Sequence, residues 1–405
     1  MSEIDNYSEY LYVKLGDLGY TYPGLSGKTK DDFGSGKPYI PYMNIFSNSK
    51  IKKSFLEFVD IKTTDRQNKV QKGDLFFTTS SETVEEVGMT SVLLDDIGEA
   101  YLNSFCFGFR LHNFETLLPE FAAYLFRSEE VRKKISLFGQ GSTRYNLPKT
   151  QMFSKLYLNI PDKTKQIEIA KILTAFDIVI EQTQTTISKY KAIKQGLLHD
   201  LFTRGLNTNG KLRTTFKQAP ELYIETELGI IPKEWEVKRL EEISSMKSGE
   251  GITSEYISET GDYSVFGGNG LRGFTTTFTH QGDYVLIGRQ GALCGNITRV
   301  SDKFFASEHA VVVTSNKDID VDWLAQKLDY MNLNQYSEAS AQPGLAVTKI
   351  LRLFITKPQY NEQKEIGKRL LALDNKLEIE EILLSKYQNI KRGLMGDLLG
   401  GKKEV

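Results

Sequence analysis

What the chain has little of narrows its function first. Its 405 residues include two cysteines and four histidines. Cys106 and Cys294 stand alone in apolar, strand-like stretches, "NSFCFGFRL" and "GALCGNITRV". That usage excludes a disulfide framework, argues against a zinc site and points to a reducing, cytoplasmic location. The histidines are dispersed, so no metal is expected. No apolar run approaches the roughly 18 residues of a membrane span. The first residues, "MSEIDNYSEYLYVK", are acidic and polar, unlike a signal peptide, and no membrane partner is expected.

Charge excess is missing too. Lysine and arginine number 51, aspartate and glutamate 52, for a net charge of −1. A nucleic-acid-binding domain usually carries a basic excess, but an average over several domains can mask a basic groove behind an acidic helix. Motifs that carry chemistry are also lacking. There is no G-x-x-x-x-G-K-[ST] phosphate loop, no G-x-S-x-G elbow, no H-E-x-x-H and no N/D-P-P-[YF] methyltransferase signature. The glycine-rich "FGGNGLRGF" (residues 266–274) follows no βα unit and reads as a strand turn or bulge. His309 in "ASEHAVVV" reads as a strand-end or groove histidine. No catalytic residue and no cofactor of the chain's own are expected.

What is present is a repeat. Residues 166–201 read "QIEIAKILTAFDIVIEQTQTTISKYKAIKQGLLHDL" and residues 363–398 read "QKEIGKRLLALDNKLEIEEILLSKYQNIKRGLMGDL". Roughly half the positions are identical without a gap, which marks an internal duplication. Both copies lack proline and favour helix. One apolar stripe runs through Ile169, Leu173, Phe176, Ile180, Ile187, Tyr190 and Leu197, and its counterpart through Ile366, Leu370, Leu373, Leu377, Leu384, Tyr387 and Leu394. Each helix would be about 50 Å long, too long to hide its stripe in a small domain. The two are expected to pack on each other as a coiled coil. A proline stands five residues before each copy, at Pro161 and Pro358, where it ends a strand.

The segments ahead of the helices echo each other more faintly. "VQKGDLFFTT" (70–79) matches "HQGDYVLIGR" (280–289), and "EAYLNSFCFGFRL" (99–111) resembles "KFFASEHAVVVT" (303–314). "LPEFAAYLFRS" (118–128) and "DVDWLAQKLDYM" (320–331) read as short amphipathic helices. "VKLGDLG" and "VKRLEEI" occupy the same place near the start of each half. "TRGLNTNGKLRTTFKQAP" (203–220) reads as linker. The expected architecture is α+β: two similar domains of short strands and small helices, separated by two long helices. The expected boundaries are 1–165 for the first domain, 166–204 for the first spacer helix, 205–231 for the linker, 232–362 for the second domain and 363–400 for the second helix.

The loops carry side chains suited to base edges and phosphates. In the first domain these are Thr79, Ser80, Ser81, Gln140, Ser142, Thr143, Arg144, Tyr145, Asn146 and Lys149. In the second they are Asn269, Arg272, Arg289, Gln290, His309, Gln342 and Lys349. Arginine suits guanine, and asparagine or glutamine suits adenine; lysine and the hydroxyl residues suit phosphate. Two diverged domains on a rigid spacer fit two half-sites read at a fixed separation. A coiled-coil scaffold that does not bind DNA would explain the helices but not the paired, loop-rich domains.

"GIIPKEWEVKRLEEI", "GSTRYNLPKTQMFSKLYLNIP" followed by "QIEIAKIL", and the twin endings "KYKAIKQGLLHDLFTRG" and "KYQNIKRGLMGDLLGG" resemble the specificity subunits of type I restriction–modification systems over essentially the whole chain. The resemblance implies two target recognition domains that each read half of a split, asymmetric DNA site. It implies that the two helical repeats form an antiparallel coiled coil that sets the domains' spacing, and partners that are two methyltransferase subunits and then restriction (motor-nuclease) subunits. Those partners would use S-adenosylmethionine, ATP and Mg for adenine methylation, translocation and cleavage, while this chain binds double-stranded DNA and catalyses nothing. The second half departs at "AQPGLAVTKIL", which lacks the Arg-Tyr-Asn of "STRYN", so the resemblance carries a DNA role for that loop chiefly to the first domain.

Overall fold

A computed structural model describes residues 10–291, 293–337 and 344–400. The chain divides into two compact units, residues 1–183 with 383–405, and residues 184–382. Each unit is a mixed α+β domain joined to part of both long helices.

The first unit opens with strand Tyr10–Lys14, paired antiparallel with Tyr157–Pro161. Its main sheet orders the strands Gly19–Pro23, Cys106–Leu111, Leu75–Thr78 and Thr90–Val92, all antiparallel. A smaller sheet pairs Phe33–Ile40 with Glu57–Val59 and, in parallel, with Tyr101–Leu102. The second unit repeats this plan. Glu236–Arg239 pairs with Phe354–Lys357, and the main sheet runs Ser244–Ser248, Ala310–Ser315, Tyr284–Gly288, Ile297–Val300. Its other sheet contains the hairpin Tyr263–Gly267 with Gly270–Thr275, plus the parallel strand Lys303–Ala306. The glycine-rich stretch at 266–274 is this hairpin, with a register shift between Val265 and Phe266.

One inner strand of each main sheet is apolar because both of its faces are covered. Leu75–Thr78 is buried throughout: Leu75 and Phe77 lie under the helices Pro119–Leu125 and Glu129–Ser136, and Phe76 packs on the other face with Ile40, Ile45 and Leu102. Tyr284–Gly288 lies under Val321–Tyr330, with Trp323 fully buried. A Gly-Asp turn leads into both strands, with φ of 91° at Gly73 and 121° at Gly282, a region that favours glycine. Asp74 is buried and accepts a fork from Arg110 at 2.8 and 2.7 Å, with Tyr22 Oη donating at 2.5 Å.

The long helices span Lys163–Thr203 and Tyr360–Leu399, 41 and 40 residues. Each starts three residues before the repeat, two positions after the proline, which closes strand Tyr157–Pro161 in the first unit and follows strand Phe354–Lys357 in the second. Asp162 Oδ1 accepts from the amides of Thr164 and Lys165, a helix N-cap. The repeat's first residue locks each helix to its domain in the same way. Gln166 Nε2 donates to Pro161 O at 2.9 Å and its Oε1 accepts from Leu118 N. Gln363 Nε2 donates to Pro358 O at 2.9 Å and its Oε1 accepts from Asp320 N.

In the first unit Ile169 and Leu173 share a core with Leu398 and Leu399. In the second, Leu201 and Phe202 share one with Ile366 and Leu370. The start of each helix thus packs with the end of the other, and the pair is antiparallel. Every residue of the two apolar stripes is buried or half-buried. Thr183 fills the gap in the first stripe: it is buried, and its hydroxyl donates to Val179 O at 2.8 Å.

Two sequence expectations need correction. Cys106 does open a strand, but Cys294 lies in the turn between Tyr284–Gly288 and Ile297–Val300. The stretch at 203–220 is not a free linker. Leu206 and Arg213 are buried, and Arg213 reaches Glu362 at 2.5 and 3.0 Å and Glu234 at 2.5 Å. Glu362 also accepts from Leu206 N and Trp235 Nε1. The polar composition that reads as linker includes the cation of a nearly buried ion pair. Among the described residues, no helix is long and apolar enough to cross a membrane.

Candidate nucleic-acid interface

In the first unit the candidate residues gather where the central strand leaves the main sheet. Thr79 follows strand Leu75–Thr78, and Ser80–Ser81 then pairs antiparallel with Tyr145–Asn146. Asn146 exchanges backbone hydrogen bonds with Gln140, closing the "GQGSTRYN" loop on itself. Leu147 N donates to Thr79 O, tying the loop to the strand end. Gly141, at φ 144°, lets the loop turn: a Cβ there would lie 2.0 Å from Arg144 O.

The members of this patch have different surroundings. Ser142, Thr143, Arg144, Asn146 and Lys149 are exposed, and Tyr145 is half-buried. Ser80 and Ser81 are buried at 4% and 7% exposure, so they support the patch from beneath. Ser80 Oγ accepts from Arg144 Nε at 3.1 Å, which fixes the guanidinium at the surface. Thr79 Oγ1 donates to Phe105 O. Gln140 Nε2 donates to Gln151 Oε1. Lys149 lies over the Phe107 ring at 5.3 Å.

The second unit builds the corresponding corner with different residues. Strand Tyr284–Gly288 runs into Arg289 and Gln290, and Gln290 bridges to Gly344 at the end of the polar loop. Leu345 N donates to Arg289 O, and Arg289 N to His309 O. Counted from the shared Gly-Asp turn, Arg289 stands at the position of Ser80. The first unit therefore carries its arginine just ahead of the loop strand Tyr145–Asn146, and the second carries it just beyond the sheet strand Tyr284–Gly288. Arg289 Nη1 donates to Ser248 Oγ at 3.0 Å. His309 Nε2 lies 3.1 Å from Glu308 Oε1.

Asn269 and Arg272 lie on the neighbouring hairpin and are exposed. Gly268 lets that hairpin approach: a Cβ there would meet His309 O at 3.2 Å and Gln290 O at 3.3 Å. Lys349 is exposed on helix Val347–Leu351. Gln342 lies outside the described residues.

Sequence reasoning missed one wall of the first patch. Helix Tyr42–Ser47 brings Tyr42, Met43 and Phe46 beside Ser80, Ser81, Thr143 and Arg144, and Glu82 and Glu86 complete a cleft of about 590 Å3. Tyr42 Oη donates to Ser80 O at 3.0 Å. Burial, then the neighbouring Cys106, raises the pKa of the Tyr42 hydroxyl, keeping it a donor. A six-residue helix with no periodic stripe carries no signal that would place it at this site.

Comparison with known proteins agrees with this duplicated plan. The family model described as the type I restriction modification DNA specificity domain matches residues 7–191 and 232–387. The type I restriction enzyme EcoprrI specificity subunit of Escherichia coli is 46% identical over 141 residues, which span 34% of this chain and 35% of that protein. The putative type I restriction enzyme MjaX specificity subunit of Methanocaldococcus jannaschii is 24% identical over 407 residues, covering 94% of this chain and 90% of that one. The crystal structure of a type I restriction–modification S subunit from M. genitalium has the same fold, with a TM-score of 0.68 at 19% identity over 98% of each chain. Twin domains, twin helices and a family match in two copies together place this chain in the type I restriction–modification DNA specificity family, whose members recognise DNA in sequence-specific fashion and are not themselves catalytic.

Proposed function

We propose that each mixed domain reads one half of a split DNA target through the corner where its central strand meets the polar loop. The observation that carries this reading is the paired placement of Arg144 and Arg289, one arginine at the same corner of each duplicated sheet. Arginine is the commonest reader of guanine in the major groove. The surrounding patches differ, Gln140, Thr143 and Asn146 in one and Gln290, His309 and Asn269 in the other, so the two half-sites differ and the target is asymmetric.

In this reading the reading domains are residues 1–165 and 232–362, and the helices 166–204 and 363–400 are a ruler between them, with 205–231 as the connection. The duplicated helices offer two like surfaces to two copies of a methyltransferase subunit, to which restriction subunits add. S-adenosylmethionine, ATP and Mg belong to those partners, and the assembly works on double-stranded DNA in the cytoplasm. The near-zero net charge fits helices that recruit protein while the domains face DNA.

Mapping methylated adenines genome-wide, in cells with and without this chain, tests the reading. A bipartite, non-palindromic motif that vanishes with the chain supports it. A motif set unchanged by its loss overturns it.

A further inference from the structure

The cleft beside Arg144 has a composition that phosphate binding does not explain. One wall is apolar and aromatic: Tyr42 and Phe46 stack with ring centroids 5.7 Å apart, and Met43 is 57% exposed beside them. The other walls are charged with opposite signs, Arg144 on one side and Glu82 and Glu86 on the other. A phosphate site uses cations, hydroxyls and backbone amides, and two glutamates repel a phosphate. A base edge is different, because it offers amino donors and carbonyl or ring-nitrogen acceptors side by side.

The charged groups are held in place. Glu86 Oε2 accepts from Thr83 Oγ1 at 2.9 Å and Ser81 Oγ at 3.3 Å. Arg144 is tethered through Nε to Ser80 Oγ. Two half-buried arginines fix the walls from behind. Arg127 donates to Ile45 O, Phe46 O and Asn48 O at 2.6–3.1 Å, capping the C-terminal end of the helix that carries the aromatic wall, and to Thr90 O. Arg132 donates to Glu85 O, Val87 O and Gly88 O at 2.6–2.8 Å, gripping the turn that carries Glu86. Both use their donors on carbonyls rather than carboxylates, and burial pushes both guanidiniums down to about 10, aided for Arg127 by Arg132. Two partly desolvated charges committed to one short helix and one turn make the relative position of those segments rigid.

Building on the reading of this domain as a half-site reader, we propose that the cleft reads a G·C pair in the major groove, Glu86 accepting from the cytosine N4 amino group and Arg144 donating to guanine O6 and N7. A glutamate needs an amino donor, and an arginine fork needs two acceptors. Only G·C offers cytosine N4 opposite guanine O6 and N7. Glu82 adds negative potential that disfavours the carbonyl of thymine or guanine at the cytosine position. The Tyr42–Met43–Phe46 wall excludes water from the contact. Arg127 and Arg132 are positioning residues.

The test uses the full complex in cells, with adenine-methylation motifs mapped for the wild type and for Glu86→Gln, Glu86→Ala and Arg144→Lys. The wild-type half-site read by this domain contains a G·C pair. Glu86→Gln and Glu86→Ala relax discrimination at that pair by about tenfold or more, Arg144→Lys relaxes the same pair, and the other half-site stays as sharp as before. A first half-site without a G·C pair overturns the proposal. So does a Glu86→Gln variant, close in shape and so able to fold, that leaves every position unchanged. Loss of assembly with the methyltransferase subunits, at unchanged DNA binding by the purified variant, would instead mark the cleft as a protein-docking surface and also overturns it. The underlying half-site reading fails separately, if replacing residues 20–151 changes neither half-site.

Discussion

Lys194 and Asp374 form an ion pair at 2.5 Å in the second unit, and the residues 197 positions away from each, Lys391 and Asp177, form the same pair in the first. The offset is the repeat's own, since 374 − 177 and 391 − 194 are both 197. The third partner is also shared. Tyr124 Oη donates to Asp177 Oδ2 at 2.5 Å, and Gln326 Nε2, at the matching place on the short amphipathic helix, donates to Asp374 Oδ2 at 2.5 Å. Each helix crossing is thus clamped to its own domain by one carboxylate.

The two clamps are unequal, which yields a stability prediction. Asp177 faces two lysines, because Lys50 Nζ also lies 3.2 Å away, while Asp374 faces Lys194, a neutral amide and the like charge of Asp329. Asp177→Asn should cost about 3 kcal/mol, since it strands two cations in a partly buried site, and Asp374→Asn about half that. Burial opposes ionisation of Asp177, but Lys391 and Tyr124 outweigh it and its pKa is lowered. The Asp177 contribution is therefore complete above the unfolded value near 3.9 and is lost as pH falls below it. Urea titrations of both variants at pH 7 and near pH 3 check the ranking, which should shrink at the lower pH.

Lys327 predicts the opposite sign. Its side chain is buried, donates to Thr356 Oγ1 at 3.0 Å and lies over the rings of Phe202 and Tyr330 at 5.0 and 5.6 Å. Burial pushes its pKa down to about 8. The unfolded chain holds this proton up to about pH 10.4, so stability should rise from pH 8 to 10 as the folded form sheds its charge. Below pH 8 the full penalty applies, roughly 3 kcal/mol before the two rings offset part of it. Lys327→Met should stabilise the protein by about 1–2 kcal/mol at pH 7 and flatten the rise above pH 8. Denaturation midpoints across pH 7–10 read both effects, and a destabilised, pH-flat variant would contradict them.

The helices and the duplication were legible from periodicity and from the prolines at 161 and 358, because both features are local in the chain. The α+β character followed from the same reading. The middle of the first stripe was not: Thr183 hides in it because a threonine that bonds back to Val179 O can be buried in a helix. Arg213 was unreadable because its carboxylate partner, Glu362, is 149 residues away. The loops of the candidate interface were legible as polar clusters, but their division into exposed and supporting members was not. Ser80 and Ser81 read like Ser142 and Thr143 in sequence, and only strand pairing with Tyr145–Asn146 turns them inward. The aromatic wall from Tyr42 and Phe46 depends on Arg127, about 80 residues further on, and such a contact leaves no local pattern.

Inserting four residues directly after Gln182 lengthens the first helix by one turn, roughly 6 Å. The gap between half-sites should then change by about 1–2 base pairs, at roughly 3.4 Å per pair, with the bases of each half unaltered because their loops are untouched. An unchanged gap from a folded, active protein would remove the first helix from the ruler.

The most direct measurement of the two-reader account is a segment exchange followed by methylation mapping. Residues 20–151 are replaced by the equivalent segment of a relative with a different target, and methylated adenines are mapped in cells that supply the partner subunits. The account predicts that one half-site changes to that of the relative while the other half-site and the spacing persist. An assembled, active chimera in which both halves change together, or neither does, would contradict it.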